Sequence, residues 1–129
     1  MQDQRAETLG LGANYEHGAK SANKNEADDS AKFIDTASVE NMSLLFYCCG
    51  NLTKLDLSGW DTSNVKNMHR MFTGCKSLTE LDLSGWDVSN VEDMSDMFYH
   101  CDNLTLENII MDGCSDETKK KIEDAFNKR

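Results

Sequence analysis

The segment LDLSGWDTSNVKNMHRMFTGCKSLT, from Leu55 to Thr79, is followed one residue later by LDLSGWDVSNVEDMSDMFYHCDNLT, from Leu81 to Thr105. A more diverged copy precedes both from Ile34, and the three keep one fixed spacing, that from Trp60 to Trp86. The columns run Ile34, Trp60, Trp86; Val39, Val65, Val91; Met42, Met68, Met94; Leu45, Met71, Met97; Phe46, Phe72, Phe98; Cys49, Cys75, Cys101; and Leu52, Leu78, Leu104. A period of this size leaves few folds open. One copy cannot bury its own apolar side, so copies stack and share a core, which is the principle of a solenoid.

The copies divide the chain into three parts. Residues 34–111 hold the repeats, at 34–59, 60–85 and 86–111. Residues 1–33 are polar, and stretches such as KSANKNEADDS show neither a helical nor a strand period. Two readings stand for them: a mobile leader, or an amino-terminal cap over the first copy. Residues 112–129 contain SDETKKKIEDAFNKR, which reads as a helix. Ser115 or Asp116 can cap it, its acidic start and basic end suit the helix dipole, and Ile122, Ala125 and Phe126 form one apolar edge. Such a helix can close the open end of the stack.

Within a copy two periods alternate. Met68, Met71, Phe72 and Cys75 follow the 0, 3, 4, 7 spacing of a short helix. Leu81, Asp82 and Leu83 alternate as a strand does. The SGWDTSN between them is turn chemistry. One strand per copy predicts a parallel ladder rising about 4.8 Å per repeat.

The pattern L-x-x-L-D-L-S-x-W-D-T-S-x-V-x-x-M-x-x-M-F-x-x-C resembles the repeat of the BspA-like leucine-rich repeat family of bacteria over residues 34–111. The resemblance implies an α/β repeat fold, a short leucine-rich-repeat solenoid of about three repeats with a parallel strand ladder and short helices. Members are mostly bacterial surface proteins that bind other proteins or host matrix, and the repeat carries no catalytic residues. The last strand departs from the pattern. Glu107 stands where Leu55 and Leu81 stand, and Ile110 and Met111 replace the Ser-Gly pairs Ser58-Gly59 and Ser84-Gly85. Either the register slips by one residue near Leu106, or this segment is a cap.

Candidate chemistry is sparse. Cys49, Cys75 and Cys101 share the repeat spacing and read as a buried column; Cys48 and Cys114 fall outside it and read as exposed. Five cysteines without a C-x-x-C pattern favour a reducing compartment. Asp35, Asp61 and Asp87 also recur, and each reads as an acceptor for its own turn. Asp56, Asp82 and Asn108 are expected to point out of the sheet. His17, His69 and His100 share no column and have no matched nucleophile or carboxylate. Trp60 and Trp86 read as core at the repeat edges. No phosphate-loop, dinucleotide or zinc-protease motif occurs. The expectation is therefore no enzyme, no cofactor and no metal.

The 129 residues carry a formal net charge of −10, which opposes direct nucleic-acid binding and suits a partner that is itself basic. The third copy holds most of the negative excess: Glu92, Asp93 and Asp96, then Asp102, with Tyr99 and His100 beside them. The second copy carries Lys66, His69 and Arg70 in the corresponding segment. The expected site is this acidic surface, with the sheet face around Lys54, Asp56, Glu80 and Asp82 as the alternative. The expected role is a non-catalytic protein-binding module. A narrower alternative is a small acidic inhibitor that covers the nucleic-acid channel of a basic effector; anti-CRISPR proteins of mobile elements are similar in size and charge. A fragment of a bacterial surface adhesin is the third reading. Self-association through an open end is also expected to be within reach. MQDQRAETLG lacks the apolar run of a secretory signal, and no segment approaches the roughly 18 apolar residues of a membrane span. The expected location is cytoplasmic, or surface or secreted where an export signal has been removed.

Overall fold

The computed structural model describes residues 34–129 and the backbone of residues 27–28. His17 and the expectation of a mobile leader or cap over 1–33 lie outside the described residues, apart from Ala27–Asp28, which form strand β1. Among the described residues the other strands are β2 (Lys54–Asp56), β3 (Glu80–Asp82) and β4 (Ile109–Ile110), and the α-helix is α1 (Asp116–Asn127). The fold is α/β: a parallel sheet in the order β1-β2-β3-β4, with α1 at the carboxyl-terminal side. Leu55 pairs with Leu81 and Asp56 with Asp82, so the chain returns to the sheet one copy later, at the spacing of the sequence columns. Isolated parallel bridges link Asn41 to Asn67 and Asn67 to Asp93 with the same displacement. We refer to residues 34–59, 60–85 and 86–111 as layers 1, 2 and 3.

The repeated columns form the core. Phe46, Phe72 and Phe98 stack face to face, with centroids 5.6 and 5.7 Å apart. Trp60 lies 6.5 Å from Trp86 with its ring nearly parallel, and both are buried. Cys49, Cys75 and Cys101 are buried and free. Two of these thiols act as weak donors between layers: Cys75 Sγ donates to the Phe46 carbonyl at 3.1 Å and Cys101 Sγ to the Phe72 carbonyl at 3.0 Å. Burial raises the pKa of Cys75 and pushes that of Cys101 up to about 12, which leaves both as inert thiols.

The short helices expected in each copy do not form. Met68, Met71, Phe72 and Cys75 all point inward as their spacing requires, but they do so from successive turns. The reason is where the backbone donors go. Met68, Arg70, Phe72 and Gly74 donate their N–H groups to the Asp93, Ser95, Met97 and Tyr99 carbonyls of the next layer. Met42, Leu44, Phe46 and Cys48 do the same to layer 2. An N–H directed at a neighbouring layer cannot close the i→i−4 bond of a helix. Aiming alternate donors sideways goes with positive φ at Leu44, Cys48, Arg70 and Gly74, of 61°, 57°, 55° and 81°, and layer 3 repeats the same backbone at Asp96 and His100, at 56° and 61°. Left-handed backbone at every fourth position ends any helix before it begins.

The last strand also corrects the expected register. Leu81 pairs with Ile109, whereas the repeat spacing would have set Glu107 opposite it, so the register slips by two positions and not one. Leu104 is still buried in its column, and a single 3-10 turn, Leu106–Asn108, takes up the difference. Asn108 therefore sits in that turn and not on the sheet beside Asp82. The same shift carries Cys114 into the core, contrary to its expected exposure. It takes over the place of the tryptophans: Trp86 Nε1 donates to the Leu57 carbonyl, and Cys114 Sγ contacts the Leu83 carbonyl one layer on. Cys48 is exposed.

Helix α1 closes layer 3. Ser115 caps it by accepting from the Thr118 N–H. Ile122 and Phe126 are buried, and Phe126 meets Phe98 edge-on at 5.6 Å. Two polar residues of α1 finish what the stack leaves open. In layers 1 and 2 the buried hydroxyls of Thr36 and Thr62 clamp Asp61 and Asp87, donating to the carbonyl and accepting from the N–H. Layer 3 has Val88 in that column, and Thr118 Oγ1 accepts the Val88 N–H instead. Lys121 Nζ donates to the Val88 and Val91 carbonyls at 2.8 and 2.9 Å.

Candidate partner-binding surface

Layer 3 carries six carboxylates and no Lys or Arg, whereas layer 2 carries three of each sign. Stacking in register sets the two columns side by side, so the acidic surface is partly matched from within. Arg70 Nε lies 3.5 Å from the Asp96 carboxylate, and His69 Nδ1 lies 3.9 Å from that of Asp93. Asp93 and Asp96 are about half exposed in these pairs, where such contacts are worth little, ~0–1 kcal/mol. Glu92 is exposed beside them.

The stack also brings together residues the repeat pattern kept apart. His69 Nδ1 lies 2.7 Å from Ser95 Oγ, and Ser95 Oγ donates to Asp93 Oδ1 at 2.6 Å. The serine stands between imidazole and carboxylate, with its hydrogen held by Asp93. In a nucleophile activated by histidine, the imidazole takes the hydroxyl proton; here the imidazole is the donor to Ser95. The Ser95 hydroxyl, its N–H and, to a smaller degree, His69 hold the Asp93 carboxyl below its ordinary pKa. Asp61 and Asp87 are lowered in the same way by the hydroxyl and N–H of Ser63 and Ser89. Asp35 accepts the Ala37 N–H. The Asp-x-Ser sequences are thus turn locks, as expected of the Asp35, Asp61 and Asp87 column. Among the described residues, no group of three His, Cys, Asp or Glu is placed to hold a metal ion.

The residues expected at the site separate into two clefts. Glu92, Asp93 and Asp96 line one of about 390 Å³, whose far wall is Lys121, Asp124, Ala125 and Lys128 of α1. His100 and Asp102 line the other, of about 510 Å³, with Cys48, Gly74 and Lys76. Tyr99 is 43% exposed, the one large hydrophobic so exposed among the described residues, and its ring leans on that of His100 at 4.0 Å. On the alternative face, Lys54 and Glu80 are exposed and paired in register. Asp56 and Asp82 are only half exposed there, because each accepts an N–H of its own turn, from Ser58 and Ser84. Those two carboxylates are occupied locally rather than freely solvated.

One edge of layer 3 was not visible in the sequence. Met94, Asp96, Phe98 and His100 correspond to the layer 2 residues that donate onward, yet their N–H groups have no acceptor among the described residues. Lys121 and Thr118 were likewise unmarked; the only signal was the Thr, Thr, Val series at 36, 62 and 88, which announces that the third layer needs a different partner. No described helix is long and apolar enough to cross a membrane. No curated protein and no solved structure matches the chain. A family model described as "Mycoplasma protein of unknown function, DUF285" matches residues 17–128. The match spans the sheet, all three layers and the whole of α1, and the chain belongs to the DUF285 family.

Proposed function

We propose that the chain is a non-catalytic protein-binding module built as a short leucine-rich-repeat solenoid of the BspA-like kind, and that it engages a basic partner through layer 3. The observation that carries this reading is the distribution of surface groups. The repeated apolar columns are used up in the core, while the acidic excess and the exposed Tyr99 are gathered on one layer. Rim charges mainly set encounter rate, and an aromatic gives contact area. Glu92, Asp93 and Asp96 supply the first, and Tyr99 with His100 the second.

The test begins with proteins retained from the source cell by the wild-type chain. They are compared with those retained by the combined Glu92→Gln, Asp93→Asn and Asp96→Asn variant and by Tyr99→Ala. A partner of this surface is lost or weakened in both. Surface plasmon resonance with that partner then shows association slowing as salt rises, since exposed charges are screened over about 8 Å at physiological ionic strength. Tyr99→Ala raises the off-rate instead. Equal retention by all three chains, with salt-independent association, would overturn the assignment and move attention to Lys54 and Glu80.

A further inference from the structure

The open edge of layer 3 meets the acidic cleft, and the two make complementary demands on a ligand. In layers 1 and 2 every second residue from Met42 to Cys48 and from Met68 to Gly74 donates its N–H to the layer that follows. The equivalent groups of Met94, Asp96, Phe98 and His100 find no acceptor among the described residues. Met94 and Asp96 border the 390 Å³ cleft between layer 3 and α1. What would satisfy them is a run of carbonyls at every second position, which an extended peptide presents along one edge. The side chains of the cleft select its charge. Glu92, Asp93, Asp96 and Asp124 outnumber Lys121 and Lys128 there, and the ammonium of Lys121 is already bonded to two carbonyls.

We propose that this edge accepts an extended segment of a partner protein rich in Lys or Arg, which continues the hydrogen bonding between layers by one row. Its alternate carbonyls take the N–H groups of Met94 and Asp96, and its basic side chains lie against Glu92, Asp93, Asp96 and Asp124. The inference rests on the acidic-surface reading above and adds the backbone mode of recognition. Ser95 supplies an internal reference, because its N–H is already held by Asp93.

The probe is a blocked decapeptide of alternating Lys and Thr, titrated into the full chain labelled with nitrogen-15; a Glu and Thr decapeptide is the control. The expected result is saturable binding of the basic peptide alone, with amide exchange at Met94 and Asp96 slowed at least about tenfold and Ser95 unchanged. Replacing the acceptor amides of the peptide by esters, which keeps its charge, should weaken binding about fivefold for each bond lost, the scale of one net hydrogen bond. Binding that the combined charge variant abolishes, but that leaves Met94 and Asp96 exchanging freely, would overturn the added row and leave the acidic surface standing. Absence of binding would overturn the proposal, as would concentration-dependent protection of the same amides without peptide, which would assign the edge to a second copy of the chain.

Discussion

At the residue scale, the strongest local constraint is the left-handed backbone. Leu44, Cys48, Arg70, Asp96 and His100 adopt it with a side chain in place, at a cost of about 1–3 kcal/mol each. In layers 1 and 2 they are held there because the alternative is to forfeit a hydrogen bond between layers. Gly74 occupies the same column as Cys48 and His100, and its glycine has a second cause. A Cβ at position 74 would stand 3.0 Å from Cys48 Sγ and 3.3 Å from Cys48 Cα, whereas one at Gly113, also at positive φ, would meet nothing within 4 Å. Gly113→Ala should therefore cost about 1 kcal/mol from backbone strain alone. Gly74→Ala should cost about 2–3 kcal/mol, strain plus contact. Urea unfolding of the two variants checks the difference, and equal losses would mean that Cys48 gives way freely.

At the element scale, α1 is more than a greasy lid. Its apolar edge was legible from Ile122, Ala125 and Phe126, and its cap from Ser115, since both follow from local spacing. Its polar role was not, because Lys121 reads as one of three successive lysines until its partners are seen. Lys121→Met keeps the stem but leaves the Val88 and Val91 carbonyls without their ammonium donor. It should destabilise by about 1–3 kcal/mol. Lys120→Met, which touches only the exposed Asp124 carboxylate, should stay within about 0.5 kcal/mol of wild type. Thermal melting of both variants decides between a closing bond and a surface charge. The strands were legible for the same reason as the helix edge, the alternation around Leu55 and Leu81. The helices expected within the copies failed because the 0, 3, 4, 7 spacing reports only which side chains face inward. It is silent on whether a backbone N–H bonds within its own turn or to the next layer, and here the next layer wins. The slip before β4 was hidden because a 3-10 turn at Leu106–Asn108 has no strong sequence mark.

At the scale of the whole molecule, apolar columns join the layers and carboxylates lock the turns within them. Asp61, Asp87 and Asp93 all have lowered pKa values in the folded chain, from serine hydroxyl and N–H bonds that an unfolded chain lacks. A lowered folded value means stability that is complete above the ordinary carboxylate range and is lost as pH falls through the folded values. The chain should therefore keep its melting temperature from neutral pH down to about 4–5 and lose it below. Removing the hydroxyl donors with Ser63→Ala, Ser89→Ala and Ser95→Ala should shallow that acid limb; an unchanged limb would locate acid sensitivity elsewhere. The donors between Met42 and Gly74 have a last consequence. Because the N–H groups of Met42, Leu44, Phe46 and Cys48 and of Met68, Arg70, Phe72 and Gly74 point toward the carboxyl-terminal layer, the dipoles of those peptides add, and this part of the wall carries an electrical polarity like that of a helix, built from stacked turns. Its positive pole is the edge of layer 3 from Met94 to His100, and Asp96 sits on that pole as an acidic side chain sits at a helix start, with Glu92 and Asp93 beside it on the same cleft. The concentration of negative charge at one end thus stabilises the fold that presents it. Reversing those charges to lysine would set like against like along the whole wall.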